Sequence, residues 1–307
     1  MKTSETLTPN TEKKSEQNVN DIQPQGIVTI EGIDFQYKIE GSGIPILVLG
    51  RTISPPFYSK KMREKCQLIF VDNRCFIPYE TPANLDSWTI GTYLDDIETI
   101  RKTLGIEKIA VLGGSAFGFL PLEYAIKYPN SISHAIVNGT PPFLNTDKYN
   151  EGAEKYWETQ ASQERKSAFQ RGLKKLEEIN NSGSERTPKQ IWVDNYLSMT
   201  AKFWYDFNTD ASWIFDDVYF NMDAIDNYYG KLMINYDPSP RYNQIKCPVF
   251  IANGKYDFWA VPTLWESVTK DLENFSNNIF EKSGHFPMLE EQELFDEKLL
   301  KWINSGA

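Results

Sequence analysis

The chain has 307 residues, a formal net charge of -10, a hydrophobic share of 40% and an aromatic share of 14%. The acidic balance argues against nucleic acid or an anionic membrane surface as the main partner. Three cysteines, Cys66, Cys75 and Cys247, offer neither a disulfide framework nor a CxxC metal pattern, and two histidines, His134 and His285, are too few for a multi-histidine metal site.

Residues 1–24 are polar and lack the apolar core of a signal peptide, so they read as a disordered tail. No run approaches the roughly 18 apolar residues of a membrane span, and the expectation is a soluble, cytoplasmic protein of one large domain with an insertion. Residues 26–30 and 33–39 alternate apolar and polar side chains around Glu31-Gly32 and predict an antiparallel hairpin. Pro45-Ile-Leu-Val-Leu49 and Gln67-Leu-Ile-Phe-Val-Asp72 are continuous apolar runs, hence strands buried on both faces, with a short helix predicted between them over 55–65. Residues 90–104 carry apolar side chains at helical spacing and stop at Gly105.

Ile109-Ala-Val-Leu-Gly-Gly-Ser115 follows, a strand ending in two glycines and a serine, and a helical pattern starts at once beyond Gly118. Residues 132–137 form the next predicted strand. Strand and helix alternating in this way predict a mostly parallel, doubly wound α/β sheet. The rhythm breaks over 142–244, which is helical in pattern and rich in aromatic residues from Phe203 to Tyr236. It reads as a helical cap inserted between two parts of the core, 25–141 and 245–307. From its rings and from loops near the serine, Phe117, Trp204, Trp213, Tyr219 and Phe286 are the candidate lining of a substrate pocket. The sheet resumes at 247–253, a helix spans 262–272, a short edge strand 278–281, and a closing helix 289–303.

A serine hydroxyl needs a base to take its proton, a group to orient that base, and donors for the developing oxyanion. His134 lies at the start of a parallel strand, at the wrong end for a site at the carboxyl ends, and reads as structural. His285 lies in a Gly-containing loop after the last strand, where a base is needed. Asp257, in Asn253-Gly-Lys-Tyr-Asp257, follows another buried strand and is the candidate orienting acid. Cys75 has no elbow and no suitably spaced base, so it is not read as a nucleophile. Arg51 would place a cation near the cleft and favour a substrate carboxylate.

Ser115, Asp257 and His285 stand in the chain order of the α/β-hydrolases, and the sequence resembles that superfamily over nearly all of residues 25–307. Leu112-Gly-Gly-Ser-Ala116 is similar to its nucleophile elbow, Asn253-Gly-Lys-Tyr-Asp257 to its acid loop, Gly284-His-Phe-Pro-Met-Leu-Glu290 to its histidine loop, and Asp72-Asn-Arg74 to the Asp-x-Arg after its fourth strand. The elbow and the capped layout lean towards proline-iminopeptidase-like members. Two departures stand out. Phe117 occupies the place of the usual second elbow glycine, with Gly118 next, and Gly50-Arg51-Thr52 replaces the usual His-Gly after the third strand. The backbone of Ala116 and of Arg51 or Thr52 is therefore the expected oxyanion hole, in which one donor is worth on the order of 3 kcal/mol.

The resemblance implies a serine hydrolase acting on an ester, thioester, lactone or small amide through an acyl-enzyme, with a small molecule or short peptide as substrate and no metal or organic cofactor. An alternative is an aminopeptidase that holds a free amine with cap carboxylates, for which Glu151, Glu154, Glu158, Asp216, Asp217 and Asp223 are candidates by type. A second alternative is a non-catalytic ligand-binding receptor on the same fold.

Overall fold

The computed structural model describes residues 23–50, 57–79 and 85–305. Its centre is an eight-stranded sheet in the order β1-β2-β4-β3-β5-β6-β7-β8. The hairpin of β1 (Gln25–Ile30) and β2 (Ile33–Gly41) turns at Glu31 and Gly32, both with positive φ, and β2 runs antiparallel to β4 (Cys66–Asp72). All later pairings are parallel, through β3 (Ile44–Gly50), β5 (Ile109–Gly114), β6 (Ile132–Asn138), β7 (Val249–Gly254) and β8 (Phe275–Phe280). The inner strands β3, β4, β5 and β7 are apolar on both faces because helices cover both, as their apolar runs require, whereas β8 at the edge is half polar.

The connections explain where a site can form. The step from β3 to β4 through α1 (Lys60–Lys65) moves one way along the sheet, while α2 (Ile90–Thr103) and α3 (Phe119–Lys127) carry the chain the other way, to β5 and then β6. Right-handed crossovers in opposite directions put these helices on opposite faces and open a crevice at the carboxyl ends of β3 and β5. Gly50 ends β3 and Ser115 follows β5, so both stand at this switch point.

Between β6 and β7 the chain is helical. It runs through α4 (Asp147–Gln160), α5 (Gln163–Asn181), α6 (Pro188–Ser198), α7 (Thr200–Phe203) and α8 (Met222–Asn227), joined by short 3-10 and π turns. α4 and α5 are separated at Ala161, and Ser162 caps α5 by accepting from the Arg165 amide. After β7 come α9 (Thr263–Thr269), β8, α10 (Pro287–Glu290) and α11 (Gln292–Ile303). The predicted closing helix is thus two helices, split at Glu291, whose φ of -127° and ψ of 52° are not helical. α11 packs on α1, while α2 packs on α3. Arg74, of the Asp72-Asn-Arg74 motif, is buried in this frame. It pairs with Asp96 through two hydrogen bonds of 2.6 and 2.7 Å and lies over the Trp88 ring. No helix among the described residues is long and apolar enough to cross a membrane.

Candidate active site

The turn after β5 concentrates the unusual backbone. Ser115 has φ 55°, a left-handed conformation that a side-chain-bearing residue adopts only when its surroundings impose it. One 3-10 turn, Ser115–Gly118, leads straight into α3. The close packing comes from two glycines. A Cβ on Gly113 would strike the Phe117 carbonyl, and a Cβ on Gly118 would overlap the Thr140 side chain. Thr140 in turn donates from Oγ1 to the Ser115 carbonyl at 2.7 Å. The small residue that lets helix and neighbouring loop approach is therefore Gly118, one place later than usual. Phe117 is freed to face aromatic partners, with Tyr228 at 4.8 Å and Phe76 at 5.9 Å between ring centroids.

Asp257 and His285 come from the turns after β7 and β8. Asp257 is 0% exposed, and its carboxylate is held from three sides. Oδ1 accepts from the Trp259 and Ala260 amides at 2.9 and 2.7 Å, and Oδ2 lies 2.7 Å from His285 Nδ1. With both amides on one oxygen, the other is left aimed at the imidazole. The His285 ring sits among Phe203, Trp259 and Phe286, with centroids 5.0 to 5.3 Å away. Gly139, at φ 54°, passes so close that a Cβ there would lie 3.1 Å from His285 Nδ1.

The histidine loop is also tied to the helical segment. The His285 amide donates to the Phe203 carbonyl. Glu290 accepts from the Gly284 and Tyr205 amides, each at 2.7 Å, and so bridges loop and segment. Burial is the main influence on Glu290 and pushes its carboxyl up to about 7, against those amide bonds; the Asp257 charge adds to the rise. Arg165 of α5, nearly fully buried, donates to the Ala201, Trp204 and Tyr205 carbonyls and fixes the turn that presents Phe203. Desolvation lowers its guanidinium to about 10.

Ser115 and His285 line one cavity of about 180 Å³. No hydrogen bond joins them among the described residues, a spacing common in unliganded sites that tighten around substrate. The floor is Val48, Leu49, Gly50, Leu112 and Gly114; the roof includes Trp192 and Tyr196 of α6 with Ile214, Phe215, Phe220 and Tyr229. No Asp, Glu, Lys or Arg lines the cavity among the described residues.

A protein-family model described as "alpha/beta hydrolase fold" matches residues 52–292. The chain belongs to the alpha/beta hydrolase fold family. It is 33% identical to the AB hydrolase superfamily protein YclE of Bacillus subtilis (strain 168), over 91% of this chain and 98% of that one. It is 25% identical to a proline iminopeptidase of Clostridium botulinum (strain Hall), over 76% of this chain and 82% of that one. Among solved structures, an alpha/beta fold family hydrolase from Bacillus anthracis str. Sterne superposes with a TM-score of 0.67 at 19% identity, covering 92% of this chain and 99% of the other. The chain is thus an α/β-hydrolase enzyme, with the antiparallel start and parallel remainder of that sheet.

Set on this hydrolase fold, the expected pocket residues divide. Phe117 and Phe286 line the cavity. Trp204, Trp213 and Tyr219 do not, and the expectation for these three is corrected. Trp204 is buried behind Phe286, with ring centroids 4.9 Å apart. Trp213 is 42% exposed and stacks on the outside of Phe57, a lining residue, while Tyr219 is 50% exposed. The amine-binding candidates Glu151, Glu154, Glu158, Asp216, Asp217 and Asp223 are all exposed and none lines the cavity. Arg51 and Thr52 lie outside the described residues. Ala116 is buried beside Ser115, its carbonyl accepting from Tyr228 Oη at 3.1 Å.

His134 lies in β6 opposite Ala110, packed on Trp302, and burial lowers its imidazole pKa. Cys75 is buried and its thiol is pushed up to about 12 by desolvation, which keeps it protonated and inert. Sequence reasoning missed Trp192 and Tyr196. Their i, i+4 spacing behind Pro188, which starts α6, marks one helix face and was the available signal. It also missed Asn138 and Met288, single residues at element ends with no periodic signature.

Proposed function

We propose that this α/β-hydrolase is a serine hydrolase that cleaves an uncharged, largely apolar acyl ester, thioester or lactone. The observation that carries the reading is the buried Asp257–His285 pair at 2.7 Å, whose histidine lines one cavity with a serine held at φ 55°. Ser115 Oγ attacks the substrate carbonyl while His285 takes its proton and passes it to the leaving group. Asp257 holds Nδ1 protonated, so that Nε2 is free to act as base, and stabilises the imidazolium. The Ala116 amide, with one from Arg51 or Thr52, receives the oxyanion. Water activated by His285 then releases the acid. The helical segment over 142–244 acts as the cap that roofs the cavity.

The lining supports the substrate class. An apolar, ring-lined cavity with no charged group among its described residues binds a neutral acyl chain well and desolvates an ammonium at a cost with no carboxylate among those residues to offset it. The peptidase reading has the proline iminopeptidase relative in its favour. Against it, the carboxylates that would hold a free amine are on the surface. Labelling with a fluorophosphonate probe, followed by peptide mapping, tests the mechanism. The expected result is labelling at Ser115, and a loss of turnover approaching 10⁶-fold in Ser115→Ala, as for nucleophile removal in a triad hydrolase. Labelling that survives in Ser115→Ala refutes it. Faster cleavage of a prolyl arylamide than of a p-nitrophenyl acyl ester would favour the peptidase.

A further inference from the structure

The turn over 201–205, between α7 and the irregular stretch beyond it, has a use for each of its five carbonyls. The Lys202 carbonyl accepts from the amide of Phe258, the residue after Asp257, at 2.9 Å, and the Phe203 carbonyl accepts from the His285 amide. One turn of the helical segment thus holds the acid loop and the histidine loop at adjacent residues. The other three carbonyls, of Ala201, Trp204 and Tyr205, accept from Arg165 at 2.7 Å each, two from Nη1 and one from Nη2. The Tyr205 amide donates to Glu290, which also takes the Gly284 amide. Backbone contact leaves no slack, since a Cβ on Gly284 would lie 2.1 Å from the Phe203 carbonyl oxygen. The two loops also meet directly, through the Tyr256 amide and the Ser283 carbonyl at 2.9 Å, but the turn bonds at His285 itself and next to Asp257. Arg165 is 3% exposed and faces the rings of Phe207, Tyr256 and Phe258 at 5.0 to 5.2 Å. A planar guanidinium offers five N–H donors in a fixed fork, so it can gather three carbonyls of one turn where a single point donor cannot hold them all in place.

Resting on the serine-hydrolase reading above, we propose that Arg165 is a positioning residue for the Asp257–His285 pair, setting the acid loop against the histidine loop through the turn over 201–205. Arg165 does not line the cavity, so it acts on the rate and not on substrate binding. With its fork removed, three main-chain oxygens lose their donors and the turn is free to shift, taking the Phe258 and His285 amides with it. A displacement of about 1 Å at a reacting group, caused from a distance, costs on the order of 10²-fold in rate. One residue of the helical segment therefore behaves as the strand-end turns do, and unlike the rings of the roof.

The test uses Arg165→Met, which keeps a long side chain and removes every donor, and Arg165→Lys, which keeps the charge without the fork. Each is assayed on a p-nitrophenyl acyl ester, with kcat expressed per site labelled to completion by a fluorophosphonate, so that unfolded protein does not count. Arg165→Met should lower kcat by about 10²-fold with KM little changed, and Arg165→Lys should recover part of that loss. The chain has two histidines, so isotope-labelled imidazoles are readily told apart by NMR. The Nδ1 proton that His285 shares with Asp257 should give a sharp signal in the natural enzyme. In Arg165→Met it should be broadened by exchange while circular dichroism still shows folded protein. A structural role alone would lower Tm yet leave kcat per site and that signal in place. Natural kcat per site in Arg165→Met, or a loss confined to KM, overturns the proposal. If Arg165→Met does not fold, Arg165→Lys decides, and natural kcat per site with an unchanged His285 signal there overturns it. Absent labelling of the natural enzyme sinks the hydrolase reading on which the proposal rests, whereas labelled Ser115 with no effect on kcat sinks the Arg165 assignment alone.

Discussion

Ser115, Asp257 and His285 stand on turns after β5, β7 and β8, whereas Trp192, Tyr196, Phe215 and Phe220 reach the same cavity from the segment between β6 and β7. The first set is held by backbone. Glycines at 113, 118, 139, 254 and 284 each sit where a Cβ would collide with a neighbouring carbonyl or side chain. The second set is held by rings against rings: Trp192 meets Phe220 at 5.2 Å, and Tyr196 meets Phe203 at 5.0 Å in a stack of 5°. Backbone in van der Waals contact has no rotamer to change, while a layer of side chains can repack around a substitution of similar volume. Changes at the strand ends should therefore abolish function or folding, and changes in the helical roof should retune which substrate is taken.

After Ser115→Ala, the largest effect expected is at Asp257. Asp257→Asn keeps an oxygen for the Trp259 and Ala260 amides but turns an NH₂ towards His285 Nδ1, which forces the wrong imidazole tautomer. The kcat should drop by about 10⁴-fold with KM little changed. A drop of less than tenfold would show that another group orients the histidine, and would break the contrast at its strongest point.

Gly118→Ala comes next. The new methyl group falls on Thr140, whose hydroxyl holds the Ser115 carbonyl, so either the elbow or the Thr140 turn must move. Overpacking of this kind costs about 1–3 kcal/mol, visible in urea denaturation, and turnover should fall with it because the strained serine shifts. Unchanged stability would mean that the elbow is looser than its backbone contacts indicate. In the roof, Trp192→Leu should leave kcat on a short acyl ester within about threefold. It should raise kcat/KM for a bulkier acyl ester relative to the short one by roughly tenfold, since pocket volume discriminates at that level. Trp192 also lines an outer groove with Ile191, Met199 and Phe203, so shrinking it joins two apolar spaces. An unaltered acyl preference would place the limit on acyl size elsewhere.

The same contrast explains what was legible. An apolar run ending in glycine and then a polar residue can be read locally, because a strand end and its turn are defined by neighbours in the chain. The mostly parallel sheet with its antiparallel start follows that reading. Lining residues in the helical segment depend on which side of a helix or turn meets a distant loop. Trp213 sits in a four-residue 3-10 turn and Tyr219 just beyond it, where no sustained period tells inward from outward, and both face out. The break at Glu291 was hidden because the apolar spacing of 289–303 continues through it. Gly118 taking the packing role one position late was foreseeable only as a possibility, since the partner that decides it, Thr140, lies on the loop after the next strand.

The smallest effect tests the joint between the two regions. Glu290 bridges the Gly284 and Tyr205 amides, and burial raises its carboxyl from the ordinary 4.5 to about 7. Between those two values the folded protein holds a proton that the unfolded chain has lost. Stability contributed by this group is thus fully present below about pH 4.5 and is lost as pH rises through about 7. Glu290→Gln cannot titrate, so the difference in Tm between natural protein and variant should shift against the natural protein as pH rises across that window and stay level above it. The change should be on the order of ten degrees at most, given about 1.4 kcal/mol per pKa unit and roughly 2–4 °C per kcal/mol for a chain of this class. The amide brings its own cost at every pH, because it has one acceptor oxygen for two N–H donors and must leave one of them poorly paired. If the Tm difference is flat from pH 4 to 8, the carboxylate is better hydrated than its surroundings suggest, and the loop carrying His285 is joined to the helical segment mainly through the bond from its own amide to Phe203.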